Sequence, residues 1–248
     1  MFDRLANPTR FSRMAALMLP LAIWLGLAAA AAGLYYGFFN SPPDYQQGET
    51  VRIMYIHVPA AWMALGDYLA MAICAVFTLV WRHPLADIAC RAMAPTGAAC
   101  ALITLLTGSL WGKPMWGTWW VWDARLTSML ILLFFYIAFI ALANGFLRPE
   151  RGSRPAAMLL LVGALNLPIV KFSVDWWNTL HQGPSIIRSG GPTVDPAMLR
   201  PLMLMAVAMA CYFTVITLWR MRTLLAEARI NALVARQLTS KPDSREAL

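Results

Sequence analysis

Six stretches of about twenty apolar residues dominate this chain, at approximately 15–38, 53–80, 89–110, 127–147, 156–174 and 199–219. Each is long enough to cross a bilayer's hydrocarbon core, which takes roughly 20 residues of helix. Inside lipid every backbone polar group must find its partner within the protein, so such stretches fold as helices packed on one another. The expected fold class is therefore an all-α integral membrane protein, a six-helix transmembrane bundle. Composition agrees: 60% of residues are hydrophobic and only 13% are charged, against roughly 25% charged in soluble domains. The sequence divides into a single membrane domain, 1–220, and an extension, 221–248. In that extension Leu224, Leu225, Leu233 and Val234 alternate with arginines in a helical pattern, expected to lie on an anionic leaflet or a partner subunit.

The net charge of +8 is informative by position. With six spans both termini share one side with the connectors 81–88 and 148–155. That side holds fourteen of the twenty cations, among them Arg4, Arg10, Arg13, Arg82, Arg148 and Arg220. Positive residues collect on the cytoplasmic face, so both termini are expected in the cytoplasm and three loops in the opposite compartment. The basic residues then require no nucleic acid. The first apolar run follows Arg4, Arg10 and Arg13 as a signal peptide would, but it continues well past the roughly 7–15 residues of a secretory core and is read as a retained span. Cys74, Cys90, Cys100 and Cys211 lie in or beside spans without a Cys-x-x-Cys pair, and read as small packing residues.

Of the three outward loops, the one after the third span is the most unusual. Trp111, Trp116, Trp119, Trp120 and Trp122 fall within twelve residues, interrupted by Gly112, Pro114 and Gly117. An interfacial belt needs one or two rings at headgroup depth; five suggest an aromatic shelf for a large flat ligand. The first outward loop, 40–52, reads as a connector with little chemistry. The third, 175–200, exceeds ordinary connection lengths, which favours a functional role.

Two of the three histidines fall on the same face as that shelf: His57 at the outer end of the second span, and His181 in the third loop. His83 sits in an inner connector and reads as a solvated surface residue. Two neutral imidazoles beside aromatic rings meet the needs of heme, whose iron takes axial nitrogen ligands. Its propionates would need cations, and Arg125, Arg52, Lys113 and Arg188 are on the right side, Arg125 foremost because it follows the shelf directly. Plainer readings stand beside these. A helix-end histidine often makes only an ordinary hydrogen bond; Trp176 and Trp177 fit an interfacial belt; Trp62 reads as an anchor or a packing residue. Asp123 reads as the N-cap of the fourth span. Asp67, inside the second span, is either functional or paired within the bundle. A cytochrome b-type redox protein would need a second histidine pair near the inner surface, where only His83 is available. A transporter lined by Asp67 draws weak support from Gly66 and Pro168.

The stretch Trp116-Gly117-Thr118-Trp119-Trp120-Val121-Trp122-Asp123-Ala124-Arg125-Leu126-Thr127 resembles the tryptophan-rich signature of heme-handling membrane proteins in cytochrome c biogenesis. Together with Tyr55-Ile56-His57-Val58-Pro59-Ala60-Ala61-Trp62 and Asp175-Trp176-Trp177-Asn178-Thr179-Leu180-His181, it resembles the cytochrome c maturation protein C, or heme exporter protein C, family over almost the whole chain. The resemblance implies that His57 and His181 are the axial ligands of a non-covalent heme b. It implies that Trp116, Trp119, Trp120, Trp122, Asp123 and Arg125 belong to a periplasmic heme platform. It further implies a non-enzymatic subunit of the bacterial inner membrane that passes heme to a periplasmic chaperone, maturation protein E. The implied partners are the ATP-binding cassette subunits, maturation proteins A and B, and the single-span protein D.

Overall fold

The computed structural model describes residues 7–146, 149–181, 183, 185–186 and 190–240. Six of its helical segments are long and apolar enough to cross a membrane, and among the described residues the only β-pairing is an isolated bridge between Asp44 and Gly48. The expected helical membrane bundle is therefore what the chain forms.

Helix α1, Pro8–Tyr35, starts where local chemistry dictates: the Asn7 side chain accepts the Thr9 and Arg10 amides, with Pro8 in the first turn. A short π-helical turn, Tyr36–Asn40, ends it. Arg52, in the 3₁₀ turn Glu49–Ile53, donates to the Gly37 and Phe38 carbonyls at 2.5 and 2.6 Å. A guanidinium thus satisfies carbonyls that the helix end leaves open. Helices α2, Met54–Trp81, and α3, Pro84–Trp116, form a hairpin, turned by Arg82 in the left-handed region (φ 51°). Helix α4, Ala124–Asn144, is followed by α5, Pro149–Ala164, and α6, Asn166–Trp176. Helix α7, Pro196–Ser240, packs on α1 along much of its length.

The third and sixth expected spans lie within observed helices, and the first and second do so together with the adjoining π-helical and 3₁₀ turns. The fourth is displaced, running 124–144 instead of 127–147, because Asp123 caps it early and it stops before Gly145. The fifth is broken at Leu165. Pro168 has no N–H to donate, and its ring crowds the carbonyl of residue 164, so the helix cannot pass through unbroken. Asn166 uses the break to donate its side-chain amide to the Ser128 carbonyl of α4 at 2.8 Å. The helical pattern expected past the last span is a continuation of α7 as far as Ser240, and Leu224 and Leu225 pack against the cluster of Phe11, Leu85 and Leu218. Arg4, Arg148, Lys241 and Arg245 lie outside the described residues.

The main core gathers α2 to α6 around Tyr68, Met71, Leu132, Tyr136, Phe139 and Leu160. Asp67 is buried here. Tyr136 Oη lies 3.1 Å from Asp67 Oδ2 and 2.7 Å from the Ala64 carbonyl, and Gly97 of α3 leaves the space that the carboxyl fills. Of the two readings of Asp67, the structure supports pairing within the bundle. The connections 41–53 and 117–123 and the described residues that follow α6 lie at one end of the bundle, and the α2–α3 turn lies at the other.

Candidate functional site

A cavity of about 550 Å3 opens at the first of these ends, among α2, α3, α4, α6 and the loop that follows α6. That volume lies within the range of ligand pockets, roughly 300–1,000 Å3. His57 and His181, 124 positions apart in sequence, both line it.

His57 sits in the first turns of α2 and faces α3. Its Nδ1 lies 3.0 Å from Thr107 Oγ1, and its ring meets the edge of Trp111 at 5.7 Å and 82°. Gly108 allows the approach, since a Cβ there would stand 3.2 Å from His57 Cε1. Trp111 is itself fixed, its indole N–H donating to Gln47 Oε1 at 2.9 Å. Gln47 is set in turn by Asp44, whose Oδ1 accepts the Gln46 and Gln47 amides at 2.9 Å each. The first outward loop, expected to carry little chemistry, therefore supplies part of the cavity wall.

His181 is held differently. Its Nδ1 lies 2.7 Å from Asp123 Oδ2, and Thr179 donates to the same oxygen at 2.6 Å while accepting the His181 amide at 3.0 Å. The other Asp123 oxygen accepts the Leu126 amide at 2.8 Å. The expected N-cap is thus real, and the same carboxylate also orients an imidazole. Burial by itself would raise the Asp123 proton affinity; the bonds from Thr179, Leu126 and His181 outweigh it and hold the carboxyl below its ordinary value. For His181, burial lowers the proton affinity, the Asp123 carboxylate restores only part of it, and Arg125 opposes protonation further. The net effect favours the neutral ring. That is the state in which a nitrogen lone pair binds a metal.

Each imidazole meets one indole of α3: His57 meets Trp111, and His181 meets Trp116 with ring centres 4.8 Å apart at 66°. Trp116 lies over Gly112, where a Cβ would stand 2.8 Å from its ring. Both tryptophans belong to the last turns of α3 rather than to a loop. The helix ends at Gly117 (φ 75°), whose N–H returns to the Lys113 carbonyl. A left-handed residue suits this αL cap, and glycine adopts it without penalty.

The other expected platform residues spread out. Trp120 is half-buried against the main core, and its indole N–H lacks a partner. Trp119 and Trp122 are 55% and 76% exposed and do not line the cavity. Trp120 and Trp122 meet edge-on at 74°, so the five rings do not form one flat plane. Of the cations expected to meet a ligand's carboxylates, Arg125 lines the cavity, its Nε 3.4 Å from Ser173 Oγ. Arg52 is committed to the end of α1. Lys113 caps the Gly117 carbonyl at 3.0 Å and stands over Trp119. Arg188 lies outside the described residues. Lys171 of α6 does line the cavity, as does Trp62, expected as an anchor or packing residue. Trp176 and Trp177 stand exposed, as an interfacial belt would. His83 is alone in the α2–α3 turn at the opposite end, with Nδ1 shielded and unpartnered rather than solvated.

Two imidazoles, each with Nδ1 within hydrogen-bond distance of a protein oxygen, thus line one cavity beside the indoles of Trp111 and Trp116. The family model for heme exporter protein C matches residues 1–236. The heme exporter protein C of Bradyrhizobium diazoefficiens is 51% identical over 245 residues, covering 98% of this chain and 92% of that protein. That of Escherichia coli strain K12 is 46% identical over 225 residues, 90% of this chain and 89% of that one. That of Paracoccus denitrificans is 40% identical over 233 residues, 94% and 96% respectively. A membrane bundle with paired imidazoles at one end, matched over nearly its full length, belongs to the heme exporter protein C family.

Proposed function

We propose that this chain binds heme b, non-covalently and as cargo, in the cavity between α2, α3 and the α6–α7 loop, with His57 and His181 as axial ligands. The observation that carries this reading is the shared cavity: two imidazoles from distant parts of the chain, each with Nδ1 held by a protein oxygen and Nε2 left for a metal. Bound heme supplies an iron that accepts two nitrogen ligands. The apolar walls, with Leu65, Leu105, Met129 and Val170, take up the macrocycle, and Arg125 and Lys171 take the propionates. Filling both axial positions leaves none for oxygen, so the site holds and hands on heme instead of carrying out oxygen chemistry.

The cavity end faces the periplasm in this reading, and the basic end, with both termini and the projecting part of α7, faces the cytoplasm. The membrane is the bacterial inner membrane. Exposed Trp119 and Trp122 offer rings at the rim where a periplasmic heme chaperone, maturation protein E, would receive the cargo. Maturation proteins A, B and D complete the assembly, with ATP hydrolysis on the cassette subunits. Purified protein tests the site directly: His57→Ala and His181→Ala should each lower co-purified heme at least several-fold and alter the axial-ligand bands. Unchanged heme content and bands in both variants would end this reading.

A further inference from the structure

The two imidazoles face unlike acceptors, and the heavy-atom distances around each fix where its proton must sit. Thr107 Oγ1 stands 2.6 Å from the Ile103 carbonyl oxygen, one turn back on α3. Two oxygens at that distance need a proton between them, and a threonine hydroxyl has only one. Toward His57 Nδ1, 3.0 Å away, the hydroxyl is left with lone pairs and acts as acceptor, beside the Thr104 carbonyl, a second neutral acceptor for the same ring. The His57 proton then sits on Nδ1 and the lone pair on Nε2. His181 reaches the same tautomer by a stronger route, donating Nδ1–H to the Asp123 carboxylate at 2.7 Å.

We propose that Thr107 is a positioning residue that locks His57 in the Nδ1–H tautomer, and that its neutral hydroxyl makes His57 the weaker of two unequal axial ligands. The proposal rests on the heme-binding reading above. A carboxylate partner draws the Nδ1 proton and makes Nε2 a stronger donor to iron; a hydroxyl already donating elsewhere does so less. Trp111 and Gly108 keep the His57 ring in place from the other sides. Thr107 is therefore required for tautomer and aim, while the imbalance makes the His57 bond the first to exchange when heme leaves. A carrier benefits from that order, because one ligand still holds the cargo while the other position opens to an acceptor.

The experiment uses the full chain in detergent with added hemin, comparing wild type with Thr107→Val and Thr107→Ser, and it reads two signals. Nitrogen-15 spectra of the heme-free protein report the His57 tautomer. Hemin titration reports affinity, and exchange against added cyanide reports which ligand leaves. Thr107→Val, nearly the same shape without the hydroxyl, should lose the single tautomer and bind hemin about 10-fold more weakly, the lower end of the 10–100-fold range for such partners. Thr107→Ser should restore both. In wild type, cyanide should displace His57 and leave His181 bound. A valine variant with wild-type tautomer and affinity overturns the role of Thr107, and displacement of His181 first overturns the ranking. Failure of wild type itself to bind hemin would instead bring down the heme reading, and this inference with it.

Discussion

At the residue scale Asp123 does two jobs with two oxygens, and they separate by mutation. Asp123→Asn keeps a side chain able to cap α4 but removes the charge that accepts the His181 proton. Heme affinity should fall about 10–100-fold while helix content stays at the wild-type level in circular dichroism. Asp123→Ala should lose the cap as well, about 1 kcal/mol of stability. If the asparagine variant binds heme like wild type, the carboxylate does not tune His181. The end of the bundle that holds His57, His181 and Arg125, and the capping role of Asp123, were legible in the sequence, because the apolar spans mark where each helix ends and which connections share an end. Gln47, Thr107 and Lys171 were not. Gln47 meets Trp111 across 64 positions and Thr107 meets His57 across 50, and no local pattern encodes such pairings. Thr107 within an apolar run is read as an ordinary span residue, which it is everywhere except at its oxygen.

Among the elements, the hairpin of α2 and α3 and its seam with α4 fix where His57 points. The seam closes over a buried acid: Asp67 of α2 lies between Gly97 of α3 and Tyr136 of α4. A methyl group at position 97 would collide with both the Asp67 carboxyl and the Tyr136 ring. Gly97→Ala should therefore force the helices apart and cost about 1–3 kcal/mol or more, read as a lower midpoint of thermal unfolding in detergent. Wild-type stability in that variant would show that the seam is looser than described. The helices themselves could be read from apolar length, and the α1 start from Asn7-Pro8. Two features could not. The shelf of five tryptophans dissolves because α3 runs on through Pro114 to Trp116, putting Trp111 and Trp116 on a helix and leaving only Trp119, Trp120 and Trp122 in the loop. The break at Leu165 has its cause in Pro168, yet where the chain restarts depends on Asn166 finding Ser128 across the bundle.

For the whole molecule, the central fact is that a site at one end of a membrane bundle takes its two imidazoles from opposite parts of the chain. His57 comes from α2 and His181 from the loop before α7, and α3 supplies the indole beside each. Helix α7, 45 residues long, extends about 67 Å at 1.5 Å per residue, more than twice the roughly 30 Å hydrocarbon core. None of its residues lines the cavity, but Met198, Leu202 and Met205 in its first turns back Val58 and Trp111, which do. Charge asymmetry and an even number of spans were enough to predict that His57 and His181 share a face; that they line one cavity required the fold. Electron paramagnetic resonance of the ferric heme-loaded protein tests this most directly. The account predicts one low-spin, bis-imidazole heme in wild type, a high-spin signal in His57→Gly and in His181→Gly, and return of the low-spin signal when imidazole is added to either. A low-spin bis-imidazole signal that persists in either glycine variant without added imidazole would contradict it.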